Sequence, residues 1–177
     1  MKRALDFTAL LFVLLGLLGC ASSGRVRNAT PILTSQPVSL DFVLVETSSS
    51  LNDLESEKRF LRESIITGLN ERQIFGTVSG RKADVASGNG LKLKAEIREI
   101  KKVSDEARVW AGALAGRAQI LIQVTVSDLI SGKQIEAFEA EGKSGKSAGA
   151  GTTNEAIQQA ANQVVAEMVK ISMQTSE

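Results

Sequence analysis

The sequence predicts an α/β protein of the α+β type. The expected build is a two-layer sandwich whose mostly antiparallel sheet of about five strands carries two helices on one face, in the order β-α-β-β-β-β-α. Two observations predict it. Two segments alternate apolar and polar residues, "LKLKAEIREIKKV" and "RAQILIQVTVSDLI". Two others repeat their apolar residues at helical spacing, Asp53 to about Arg72 and Thr152 to Ile171. Alternating strands keep one polar face, so the sheet is covered on one side only, and two amphipathic helices suffice as cover.

The elements follow in order. "VSLDFVLVE", Val38 to Glu46, is rich in β-branched and large apolar residues and reads as a strand. "SSSLND" interrupts it, with Asn52 and Glu55 as a capping pair for the first helix. Leu54, Leu61, Ile65 and Leu69 then form a stripe that Phe60 and Ile66 widen. Ile74 to Ser79 is a short strand, and "SGRKADVASGNG" a loop. In the next strand Leu91, Leu93, Ala95 and Ile97 share a face, and Ile100 breaks the phase, which implies a bulge. Ala118, Ile120, Ile122, Val124 and Val126 share the face of a further strand, "SGK" turns the chain, and Gln134 to about Glu141 completes a hairpin. Thr152 and Glu155 form a capping box for the last helix, whose seam is Ile157, Ala161, Val164, Met168 and Ile171.

Residues 1–19 have the form of a signal peptide. Lys2 and Arg3 precede an uncharged, mostly apolar stretch from Phe7 to Leu18. A membrane span needs about 20 such residues, so this stretch fits a signal h-region rather than an anchor. "LLGC", Leu17 to Cys20, resembles a bacterial lipobox, in which the chain is cut between Gly19 and Cys20 and the Cys carries acyl chains such as palmitate. Several chains hold a protein at a bilayer, each buried methylene contributing about 0.8 kcal/mol. With Cys20, the only cysteine, acylated, no disulfide can form in the mature chain. Ala21 at the next position implies, by the same resemblance, the outer membrane, with the domain facing the periplasm. Residues 20–37, rich in Ser, Thr, Asn and Arg and holding both prolines, read as lipidated Cys plus flexible tether, and residues 38–177 as a single domain.

Composition excludes several functions. Of 21 basic and 20 acidic residues, Lys2, Arg3 and Asp6 lie in the leader, leaving 19 of each. That balance, and a polar sheet face without aromatics, argues against a nucleic-acid binder. The chain has no His, hence no Ser-His-Asp triad and no His-ligated metal. Neither a metal nor a cofactor is expected. "AEGKSGKS", Ala140 to Ser147, satisfies a loose nucleotide-loop pattern. Such a loop works when its Lys and Ser open a helix, and here the helix cap is Thr152, beyond "AGAG". The expected protein is not an enzyme. "GALAG", Gly112 to Gly116, matches a membrane-helix packing pattern, but Arg108 and Arg117 flank it, so it reads as a turn. Trp110, the only Trp, stands among small apolar residues and is the candidate partner contact.

From Trp110 onward the chain is similar to an uncharacterised bacterial lipoprotein family, domain of unknown function 4410. The shared pattern is a Gly-rich segment, Gly112 to Ala118, then an apolar strand ending at Asp128 and a turn at Gly132. A Gly/Ser stretch, Gly142 to Gly151, and a closing helix from Thr152 complete it. The likeness extends over about Val38 to Ile171 and implies no particular activity. A second analogy, of element order alone, is to small envelope lipoproteins that activate peptidoglycan synthases. The expected function is a lipid-anchored, non-catalytic accessory module that binds an envelope protein or glycan. Two alternatives stand beside it: a Ser/Lys or nucleotide hydrolase acting through Lys146, and a homo-oligomer built on the sheet's open edge.

Overall fold

The computed structural model describes residues 23–31, 41–81, 90–103, 116–145 and 151–174. Its elements are β1 (Ser23–Pro31), β2 (Phe42–Ser49), α1 (Glu55–Arg72), β3 (Thr77–Ser79), β4 (Leu91–Lys101), β5 (Gln119–Asp128), β6 (Gln134–Lys143) and α2 (Thr153–Gln174). The sheet has the order β1-β6-β5-β4-β2-β3. β1–β6, β6–β5 and β5–β4 pair antiparallel, while β2 runs parallel to both β4 and β3. The α+β sandwich is as expected, with one strand added at the front.

That added strand corrects the expected tether. Ser23–Pro31 pairs with β6, Ser23 opposite Lys143 and Pro31 opposite Glu136. The sheet therefore begins at Ser23, not at residue 38. The physical reason lies in "GRVR": Val26 packs against the core, while Arg25 and Arg27 alternate with it onto the opposite face. Gly24 stands opposite Gly142. A β-carbon on Gly24 would lie 2.8 Å from the Gln159 carbonyl oxygen, and one on Gly142 only 2.0 Å from that of Ala156. Two glycines side by side let α2 settle directly on the backbone of the two strands. Gly68 plays a similar part between the helices, a β-carbon there meeting Val165 at 2.8 Å.

The core fills the space between sheet and helices. Leu91, Leu93, Ala95 and Ile97 of β4 face Ile120, Ile122, Val124 and Val126 of β5, all buried. The predicted seam of α2 and stripe of α1 cover them, Leu61, Ile65 and Leu69 being fully buried. Phe42 to Val45 of β2 are all buried, Val43 and Val45 on the helix-covered side within the core. The β4 bulge falls between Ile97 and Glu99, where the phase break in the sequence places it.

The two helix starts differ. α1 has Leu54 at its N-cap with no side-chain cap, so the expected Asn52–Glu55 pair does not form. Asp53 there adopts φ 55°, the left-handed region that Asp tolerates, and this turns the chain into the helix instead. At α2 the Thr152 hydroxyl accepts the Glu155 N–H at 3.1 Å, half of the expected box. The Glu155 carboxylate reaches elsewhere, to the Gly145 N–H at 3.2 Å. Between β5 and β6, Asp128 organises the turn by accepting from the N–H groups of Ile130 and Ser131 and from the Ser131 hydroxyl. The Ser131 N–H, foremost, holds the Asp128 carboxyl below its ordinary range. Gly132, at φ 67°, closes that turn.

Candidate functional site

The sheet face turned away from the two helices carries a lattice of opposed charges. Pairing in register brings Glu46 beside Lys94 and Ser48 beside Glu96. Lys92 meets Glu46 at 2.8 Å, Arg98 meets Glu96 at 2.9 Å, and the Arg98 Nε donates to Gln123 at 2.8 Å. On the far strands Glu141 accepts from Lys143 at 2.8 Å and pairs with Arg27. Partial burial pushes the Glu141 carboxyl up, but these two cations outweigh it and hold the group below its ordinary range. Ion pairs of this kind hold the side chains of the face in place. Exposed pairs of this kind are each worth at most about 1 kcal/mol, so the face contributes order more than stability.

Two of the concavities among the described residues bear on function. One, of about 180 Å³, lies over the β4–β5–β6 end of this face between Arg27, Glu99, Lys101, Gln119 and Glu141. The other, of about 600 Å³, is an open groove between α1 and the terminal strand β3. Arg62, Glu63 and Ile66 form its helix wall, and Thr77 to Arg81 its floor. The i, i+4 spacing of Arg62 and Ile66 puts both on one side of α1. Gly80 lets the Arg62 stem lie close, since a β-carbon there would stand 2.9 Å from its Cδ. A groove with a helix on one side and a sheet edge on the other is the geometry in which an extended peptide adds as a further strand.

A third feature is internal. Glu136 and Glu167 are buried at the seam of β6 and α2. Burial, then the neighbouring Glu167 charge, raise the Glu136 carboxyl above its ordinary range against the pull of Lys170. Lys170 itself pairs with Glu167 at 2.6 Å. No sequence signal named this pair, although Phe138 fixes the phase of β6 and so turns Glu136 inward with it.

The sequence-predicted site residues fare unevenly. Gly19, Cys20 and Trp110 lie outside the described residues, as do Lys146 and Ser147. The start of the nucleotide-loop pattern is visible, and it is occupied by other work. Ala140 to Lys143 continue β6, Gly142 lies against α2, and Ser144 exchanges hydrogen bonds with Ala118. The Gly145 N–H, which such a loop would turn to a phosphate, is taken by the Glu155 carboxylate. Among the described residues no group of three His, Cys, Asp or Glu side chains converges as a metal site, and no helix is long and apolar enough to cross a membrane.

The sequence profile described as Domain of unknown function (DUF4410) matches residues 26–150. The chain belongs to that family. The match begins inside β1 and so takes in residues 26–31 of the added strand. No curated protein matches the chain. Among solved structures it is similar to PelC from Paraburkholderia phytofirmans, a dodecamer, at 13% identity and a TM-score of 0.52 over 84% of this chain and 96% of that one. A DUF330 protein from Xanthomonas campestris aligns at 15% identity and a TM-score of 0.50, over 85% and 93% of the two chains. At such identities the likeness is one of fold.

Proposed function

We propose that this DUF4410 protein is a lipid-anchored envelope module, held at the outer membrane through Cys20, that performs no chemistry and binds another envelope protein. The observation that carries this reading is the groove between α1 and β3. It offers β3, the terminal strand among the described residues, with apolar contact from Ile66 and the cation Arg62 for selectivity. The leader and its lipobox support the address. The paired charges of the sheet face turned away from the helices support a structural rather than a reactive role for the described carboxylates.

In-cell photo-crosslinking from position 77 in the groove and from position 110 tests the reading. One dominant envelope protein captured from position 77, and lost on Ile66→Asp, is expected. Labelling by a serine-reactive hydrolase probe that disappears on replacing one Ser would replace the binding module with an enzyme.

A second reading, self-assembly, is favoured by the two terminal strands and by the dodecameric state of PelC. Two-fold pairing of β1 with itself would set Arg25 and Arg27 against their own copies, which is unfavourable. Head-to-tail pairing of β1 with the β3 of a neighbour avoids this, and gives a ring where the rotation between copies closes. Light scattering on the domain lacking Cys20 should then give a mass several times that of one chain, and a monomer at all concentrations would end this reading.

A further inference from the structure

We infer that the end of the sheet at which β1 begins is seated against the lipid surface, so that the domain stands on the bilayer instead of swinging from a tether. This rests on the lipid-anchored reading and adds an orientation to it. Only Ala21 and Ser22 separate Cys20 from Ser23, which is already paired with Lys143 in the sheet. Three extended residues reach at most about 10 Å. The Cα of Cys20 therefore lies within that distance of the sheet, its sulfur only a side chain farther, and the acyl chains leave the domain little room to drift away.

The topology fixes which end this is. β1 and β5 start there, β2, β4 and β6 finish there, and both helices begin there. Its described surface carries Leu51, 41% exposed, with Lys101, Lys102 and Lys143. Asp53, Glu55, Glu57 and Glu155 share the end, Glu57 being paired with Lys102 at 2.5 Å. Mixed charge around one exposed Leu suits the zwitterionic and anionic headgroup layer, not the hydrocarbon beneath it.

Lying flat on the charged sheet face is less favourable. It would take Glu46, Glu96, Glu139 and Glu141 out of water with their partners, and desolvating ion pairs is costly. Standing on end leaves these pairs in water. It also holds Ile130, 66% exposed in the β5–β6 turn, at the far end, about 30 Å away along the ten residues of β5.

The test uses the mature acylated protein in liposomes of phosphatidylethanolamine and phosphatidylglycerol. Because Cys20 is consumed by its thioether, Leu51→Cys and Ile130→Cys each supply one thiol for an environment-sensitive fluorophore. Nitroxide-labelled headgroups are expected to quench the label at 51 several-fold more than the label at 130. Inserting twelve Gly/Ser residues after Ala21, whose coil spans about 20 Å, should abolish the difference. If the N-terminal peptide carries its acyl mass yet both positions quench alike, the seated orientation is overturned and the anchor stands. If that peptide carries no acyl group and the protein is not in the membrane fraction, both fall.

Discussion

Replacing Gly142 with Ala probes the closest approach in the molecule. The added carbon would stand 2.0 Å from the Ala156 carbonyl oxygen and 2.7 Å from the Ala160 nitrogen, both helix backbone. It must withdraw by roughly 1.5 Å to reach the ~3.5 Å at which non-bonded atoms attract. No flexible side-chain end can yield instead, so α2 must lift from β6 or the strand must bow. Overpacking of this kind costs about 1–3 kcal/mol, and a backbone obstacle puts the expectation at the upper end. Ala also gains about 0.5–1 kcal/mol over Gly within a strand, which leaves a net loss of about 2 kcal/mol. For a domain of this size that lowers Tm by about 4–8 °C. Urea titration of the leaderless domain with Cys20→Ser should show a lower midpoint at unchanged slope. Gly132→Ala is the control: its β-carbon meets nothing within 4 Å, and only the strain of φ 67° opposes it, a cost of about 1 kcal/mol. A Gly142→Ala midpoint at or above that of the parent would refute the seating of α2 on β6.

Three further outcomes are expected. Glu136→Gln should raise stability at pH 7: its folded pKa lies above the ordinary value, so the stability this group contributes is greatest in acid and falls as pH climbs through the carboxylate range to the folded pKa. The urea midpoints of parent and variant should converge in acid, and parallel curves would contradict the burial argument. Asp128→Ala removes three acceptor contacts from the β5–β6 turn and should cost about 1–2 kcal/mol at neutral pH. Because the Asp128 pKa is depressed, that cost should shrink as pH falls through the folded pKa, measured as the same midpoint difference. Retention on an immobilised ATP analogue should be at background for both the parent and Lys146→Ala, and specific retention lost in the variant would restore the nucleotide-loop reading.

Most of the sandwich was legible because each element carries its own period. β4 and β5 alternate over four or more residues, and α2 repeats Ile157, Ala161, Val164, Met168 and Ile171 without interruption. The bulge was legible for the same reason, as a broken phase at Ile100. The start of α1 was not, because Asp53 at positive φ replaces a side-chain cap and leaves no mark beyond an ordinary Asp. The candidate site was less visible still. The groove is made by Ile66 on a helix and Val78 on a strand, and only the crossover from β2 through α1 to β3 brings them together. Glu136 and Glu167 become one buried pair only once α2 lies on β6.

β1 shows how such pairing hides an element. Taken alone, "SGRVRNATP" is polar, short and bounded by a proline, and nothing in it outweighs the reading of a tether. Its fitness as a strand depends on a partner: Gly24 needs Gly142 beside it for α2 to descend on both, and Arg27 needs Glu141 across the ladder. A glycine that would weaken an isolated strand becomes the condition for close packing when a second glycine lies next to it. On the proposed lipid-anchored reading the consequence would reach the membrane. Were these residues coil, an anchor at Cys20 would hold the domain only loosely. Folded into the sheet, they would bring that anchor to the edge of the core, and orientation would become a property of the fold.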